Sequence, residues 1–431
     1  MSDHIERILE QAYTSAATIE RPAARCQALT GIAETWLLTG NKVRGFEIIS
    51  EALKAADLLK HPDEKAKQLA WLSRLLKEAG QEVQAGEQFK RAYYLARAAE
   101  SVPQKINALY CLASEYLDAG LTEAAKLILS ELEPLVLDPA SGVDTVCELI
   151  NIAEIQADMH DVANSAVSLT KAVQAARSLK DFWFKAERLI EIAEIYNDIE
   201  LRSEAAGLIQ EACSEVERID ETSRPYFWMK LAAAYVEMDL KTQAADCLLK
   251  ARDAILNSDD LNMAANDVLE LAESYINLDK RSVALELLEK NQTIIGDLPE
   301  VQYRILRLLE SADLYRRLEE NPKTLRITEI VYQLGMTVVD SKAKLFTLGK
   351  LAILHVSLNN IEKARELVNE MSGIVTAGKT KTSGLGAIAE EMLAGGEASL
   401  AFKLAEVIRE PEVKTSVFIA AAKNVMENQV R

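Results

Sequence analysis

The sequence predicts an all-α protein, an α–α superhelix of about ten helical hairpins with a leading and a trailing helix. Three observations carry this expectation: a small residue that returns about every 40 positions, apolar residues beside it at helical spacing, and turn-type residues at fixed distances after it. The small residue is Ala33, Ser73, Ala113, Ala153, Ala193, Ala232, Ala272, Ala312, Ala352, Ala389 and Ala420. The gaps between them are 40, 40, 40, 40, 39, 40, 40, 40, 37 and 31.

Each unit justifies its own elements. Four residues before the anchor stand Leu29, Leu69, Leu109, Leu149 and Leu189, one before stand Ile32, Leu72, Leu112 and Ile152, and three after stand Trp36, Leu76, Tyr116 and Tyr196. These offsets share one face of a 3.6-residue helix, the A helix. Seven residues past the anchor come Gly40, Gly80, Gly120, Asp239, Asp279, Asn359 and Gly396, which stop a helix or start the next. A second small column follows at plus 12 (Gly45, Ala85, Ala125, Ser165, Ala205) and a third seven residues later (Ala52, Ala92, Ala172, Ala212, Ala251), which defines the B helix. Small residues in facing columns admit the ridges of an antiparallel neighbour. Seven of the nine prolines precede an A helix, and Pro134, inside the third B helix, is expected to kink or shorten it. Asn291 and Val331 interrupt the third column, so repeats 7 and 8 are expected to pack less regularly. The implied organisation is an N-terminal capping helix over 1–24, ten repeats over 25–410 and a C-terminal capping helix over 411–431.

Small columns at 0, plus 12 and plus 19, an aromatic at plus 3 and a turn residue at plus 7 resemble the tetratricopeptide repeat, over about residues 26–410. The unit has 40 residues where that family has 34, and in this it is similar to the longer repeats of kinesin light chains. The resemblance implies a right-handed superhelix whose inner wall is made by the A helices, and a role in protein–protein interaction.

Composition excludes other classes. The chain of 431 residues carries 49 Lys+Arg against 67 Asp+Glu, a net charge of −18, so a basic stripe for nucleic acid is not expected. Residues 1–20 lack an apolar core of signal-peptide length, and no uninterrupted apolar stretch is long enough to span a bilayer; a cytoplasmic protein without membrane insertion is expected. Cys26, Cys111, Cys147, Cys213 and Cys247 are far apart and odd in number, which suits neither a disulfide framework nor a zinc site. Gly373 to Thr380 matches G-x-x-x-x-G-K-[ST], but the segment before it has the period of a helix where a phosphate loop needs a strand. His4, His61, His160 and His355 lie in separate repeats, so neither a metal set nor a nucleophile–base pair can be written. No enzyme and no cofactor is expected.

Charge is unevenly distributed: −4 over residues 1–140, −16 over 141–320 and +2 over 321–431. On the A helices, offsets −6, −3, −2, +1, +4 and +5 are read as facing away from the core. In repeats 4 to 8 these thirty positions hold eleven acids, Glu154, Asp158, Glu187, Glu191, Glu194, Asp198, Glu237, Glu270, Glu273, Glu310 and Asp313, and three bases, Lys230, Arg316 and Arg317. In repeats 1 to 3 the same offsets hold balanced charge among apolar residues that include Trp71 and Tyr110. The expected function is a non-catalytic scaffold or adaptor whose acidic concave groove, lined by these thirteen residues, binds a basic peptide or protein surface. The alternative is a ligand- or peptide-responsive regulatory module of a bacterial signalling or transcription system.

Overall fold

The computed structural model describes residues 2–255, 260–378 and 381–430, and every regular element among them is a helix. In chain order these are α1 (Ser2–Ala17), α2 (Pro22–Leu38), α3 (Lys42–Asp57), α4 (Pro62–Glu78), α5 (Glu82–Arg97), α6 (Val102–Asp118) and α7 (Thr122–Leu137). There follow α8 (Thr145–Asp158), α9 (Val162–Ser178), α10 (Phe182–Asp198), α11 (Arg202–Val216), α12 (Arg224–Glu237), α13 (Lys241–Ile255), α14 (Leu261–Asn277) and α15 (Arg281–Asp297). The last are α16 (Val301–Arg317), α17 (Asn321–Thr337), α18 (Ser341–Ser357), α19 (Ile361–Ala377), α20 (Leu385–Ala394), α21 (Ala398–Val407) and α22 (Pro411–Val430). The protein is an all-α solenoid of helical hairpins, with even-numbered A helices and odd-numbered B helices. Pro134 lies inside α7, which runs on for three residues beyond it.

Starts and stops follow from local chemistry. Asp144, Asp181, Asp260 and Asp340 precede A helices and accept backbone N–H groups of the first turn. Pro22 and Pro62 occupy first-turn positions, where a missing N–H costs nothing. At the other end, the residue seven past each anchor adopts a positive φ in all ten hairpins. It is glycine at 40, 80, 120 and 396, and His160, Glu200, Asp239, Asp279, Glu319 and Asn359 elsewhere, with φ of 57–64°. The N–H of the following residue returns to a carbonyl of the last helical turn, as Leu201 to Tyr196 at 2.8 Å and Gln81 to Leu76 at 2.8 Å. So the left-handed turn is kept in repeats 4 to 9 although glycine is not.

The small columns are the interface. The anchors through Ala389 and the plus-12 residues are buried, and at Gly45 a Cβ would come within 2.7 Å of Leu37 Cδ2. Where the third column changes, Asn291 and Val331 are fully buried; Asn291 Nδ2 donates to the Ala265 carbonyl at 2.9 Å, while its buried Oδ1 finds no protein partner.

The chain divides into two compact units, residues 1–143 with 361–431, and residues 144–360. In the second, α8, α10, α12, α14, α16 and α18 each pack on the next, forming an A-helix wall, and B helices pack on the A helices of their own and the following hairpin. In the first unit the A helices α20, α22, α2, α4 and α6 pack in that sequence.

That order brings the two helices read as caps together: α1 packs along α22 as a B helix packs along its A helix. Its register agrees. Tyr13 donates to Glu51 at 2.8 Å across 38 positions, as Tyr93 donates to Glu131 at 2.8 Å across 38 positions between the B helices α5 and α7. Burial in α22 also corrects the last anchor. Thr415, Phe418, Ala421 and Ala422 are buried and Ala420 is only half-buried, so the anchor is Ala422, eleven residues after Pro411 as Ala33 is eleven after Pro22.

Candidate functional site

The acids singled out in the sequence all belong to the second unit. Glu154 and Asp158 lie on α8, Glu187, Glu191, Glu194 and Asp198 on α10, Glu237 on α12, Glu270 and Glu273 on α14, and Glu310 and Asp313 on α16. Trp71 on α4 and Tyr110 on α6 are half-buried in the first unit. Glu154, Asp158, Asp198, Glu237, Glu270 and Glu273 are exposed and the other five acids half-buried.

One offset expected in the groove lies in the core. Position −3 is core in all five repeats, held by Ile150, Ile190, Met229, Leu269 and Leu309. It faces the neighbouring A helix, because A helices pack on A helices as well as on their own B partner. Offset −5, left out of the groove set, instead supplies Arg188 and Arg307.

Basic side chains on the same wall divide the acids into two groups. Arg188 pairs with Glu191 at 2.6 Å and with Asp144 at 3.3 Å, Arg307 with Glu310 at 2.7 Å, and Arg316 with Asp313 at 2.8 Å. Arg317 pairs with Glu273, Lys230 sits 3.8 Å from Glu187 and 4.0 Å from Glu191, and Asn266 donates to Glu270 at 2.8 Å. The i, i+3 spacing of Arg188 with Glu191 and Arg307 with Glu310 was the available sequence signal for these neutralised positions.

Among the described residues, Glu154, Asp158, Glu194, Asp198, Glu237 and Glu270 form no ion pair; the first five lie on the three adjacent A helices α8, α10 and α12, and Glu270 lies on α14. Burial pushes the Glu154 carboxyl above its ordinary range, and the charges of Asp158, Glu191 and Asp198 add to this. Glu194 is raised first by burial; Lys230 opposes the shift, while Glu237, Glu191 and Asp198 reinforce it. Carboxylates gathered with few balancing cations form a region of negative potential ready to accept positive charge.

Gly373 lies within α19, so the segment before Gly378 is helical, and Lys379 and Thr380 lie outside the described residues. No group of three or more His, Cys, Asp and Glu residues among the described ones is arranged to hold a metal ion. No helix among them is long and apolar enough to cross a membrane.

No family model matches the chain, and no curated protein matches it. Several solved structures are similar at low overlap. Ton1535 from Thermococcus onnurineus NA1 is 17% identical over 86% of this chain and 94% of its own, with a TM-score of 0.33. The apo quorum sensor NprR from B. thuringiensis is 14% identical over 81% and 98%, with a TM-score of 0.30. A signal transduction ATPase with a tetratricopeptide repeat sensor, PH0952 from Pyrococcus horikoshii, is 14% identical over 91% of this chain and 63% of its own, with a TM-score of 0.33.

Proposed function

We propose that the protein is a non-catalytic interaction module that binds a basic peptide or protein surface along the A-helix wall of its second unit. The observation that carries this is the cluster Glu154, Asp158, Glu194, Asp198 and Glu237, which forms no ion pair among the described residues and has only Lys230 acting on Glu194 from a distance, while Glu191 and Glu310 nearby are paired. A surface serving solubility alone has no need to gather unpaired carboxylates on three adjacent helices, and a cationic ligand relieves their repulsion. Glu187, Glu191, Glu273, Glu310 and Asp313 form the flanks, where exchange of an internal arginine or lysine for a ligand cation is the available contact, and Glu270, held by the Asn266 amide, extends the unpaired acids onto α14. In the same reading Trp71 and Tyr110 offer apolar contacts on the first unit, the 40-residue unit is the long variant similar to kinesin light chain repeats, and the protein works in the cytoplasm.

The test is binding of a fluorescent lysine- and leucine-rich peptide, measured by anisotropy at two salt concentrations. Replacing Glu154 and Glu194 by Gln, Asp158 and Asp198 by Asn, and Glu237 by Gln should weaken binding by about 1–3 kcal/mol, less at high salt. Five Glu→Gln changes on B helices, at Glu51, Glu204, Glu211, Glu286 and Glu289, remove the same charge elsewhere. Equal weakening by both variants would show that only net charge matters and would refute the site.

A further inference from the structure

The A-helix wall of the second unit carries more than acids. Offsets −9, −6, −2, +1 and +5 from the anchor are spaced by three or four residues, so they share one side of a helix. All the candidate acids but Glu187 stand at −2, +1 or +5, in the C-terminal part of that side. Its N-terminal part is apolar. Phe184 on α10, Met263 on α14 and Tyr303 on α16 stand at −9, and Tyr226 on α12 and Phe346 on α18 at −6. These five side chains are between 42% and 51% exposed, and the four aromatic ones are all the exposed aromatic side chains among the described residues of the second unit.

The apolar side chains meet from helix to helix. The Trp183 and Tyr226 rings of α10 and α12 stack 6.3 Å apart, their planes 3° from parallel. Tyr303 and Leu306 of α16 and Phe346 of α18 line one open hollow of about 400 Å³, with Val338 beside them. Trp183 with Tyr226 and Tyr303 with Phe346 are each 43 positions apart, as are Glu187 and Lys230 at 3.8 Å. Apolar and acidic residues thus follow the same register between A helices, and form two rows that both run across the wall. From −6 to +1 is about 10 Å along an A helix, the width of one α-helix with its side chains.

We infer that this wall takes a basic amphipathic α-helix of a partner protein, laid across α10 to α18 with its apolar face on the aromatic row and its Lys/Arg edge on the acids. The inference rests on the acidic wall being a binding site, and names the ligand. Charge complementarity sets the polar edge, since the acids beside the row are in excess over bases. Spacing sets the conformation. A helices packed side by side lie about 8–10 Å apart, so a ligand crossing them meets an apolar side chain at about that interval. Two turns of an α-helix advance about 11 Å and bring the same face back. An extended chain covers the interval in about three residues, and because its side chains alternate, every second contact would point away. A second copy of the chain fits badly, because its net charge of −18 would bring acids against acids.

Two fluorescent peptides of identical composition and about 28 residues, long enough as a helix to cross five A helices, are titrated into the full chain and followed by anisotropy. One carries Leu at helical spacing with Lys on the adjoining edge; the other holds the same residues in an order without helical period. The patterned peptide should bind at least about ten times more tightly. Replacing Phe184, Tyr226, Tyr303 and Phe346 together by Ala, which keeps helix propensity, should weaken the patterned peptide about tenfold and leave the other unchanged. The inference fails if the two peptides bind the unaltered protein equally, a comparison that needs no variant to fold. It fails also if the fourfold variant melts as the unaltered protein does and keeps its affinity for the patterned peptide, or if sedimentation shows the unaltered chain self-associating through these four aromatics. The acidic reading fails on a different result: the five-acid variant described above binding both peptides as tightly as the unaltered protein.

Discussion

Lys423 and Glu34 form an ion pair at 2.9 Å although 389 positions separate them. Glu34 also receives Arg74 at 2.8 Å, and Arg74 reaches Glu115 at 2.8 Å, so the A helices α22, α2, α4 and α6 are laced by one line of alternating charge. Burial pushes the Glu34 carboxyl up, but the hydrogen bonds from Arg74 and Lys423 more than offset it and leave it below its ordinary range. A carboxyl lowered by folding adds stability above its unfolded pKa and loses it as pH falls through the folded value. Lys423→Ala should therefore lower stability at pH 7 by a few tenths to about 1 kcal/mol, since the lysine is partly exposed, and change little at pH 3. Thermal melts at the two pH values decide this; an equal loss at both would mean that the pair contributes only packing.

The register of α22 gives a second expectation. Ala422→Leu should overpack the interface and cost about 1–3 kcal/mol, whereas Ala420→Leu should cost less than half as much. Denaturant midpoints that rank the two in the opposite order would return the anchor to position 420.

A third concerns the turns. Glu200 and Glu319 sit at φ of 64° and 58°, where a Cβ is strained. Glu200→Gly and Glu319→Gly should each stabilise the fold by about 0.5–1 kcal/mol, the strain relieved exceeding the added chain entropy. A lower melting temperature for both would show that their side chains contribute more than the turn geometry costs.

The fourth reverses the pH sign. Folding raises the Glu194 carboxyl, so its charged form opposes the native state above the folded pKa, and that penalty vanishes below the unfolded one. Glu194→Gln should raise the melting temperature at pH 7.5 and have no effect at pH 3.5. A rise of the same size at both would mean that the gain is not electrostatic.

The hairpins were legible in the sequence because their signal is local and repeated: one Ala column at 40-residue spacing places a helix and its partner together. The run Ile419-Ala420-Ala421-Ala422 offers three small residues, so the last anchor was ambiguous there, and the distance from Pro411 resolves it only once the fold is known. Ala12 had the phase of a B helix, but nothing near it in the chain says that its A partner lies beyond residue 410. The candidate acids were legible as a helical pattern. Their division into neutralised and unneutralised sets was legible only in part: the i, i+3 pairs Arg188–Glu191 and Arg307–Glu310 show in the chain, whereas Lys230–Glu187 and Arg317–Glu273 join different helices.

The pairing of α1 with α22 also bears on how the protein is made. On the ribosome α1 is complete long before α22 exists, so the apolar side it presents to α22, around Leu9, Ala12 and Ala16, waits in water while some 390 residues are translated. Hairpins between them form from near neighbours as they emerge, but this one closes only by a long-range encounter, the slow kind of step in folding. Until then the nascent chain carries an exposed apolar strip on α1, and the closure that covers it joins two helices made far apart in time.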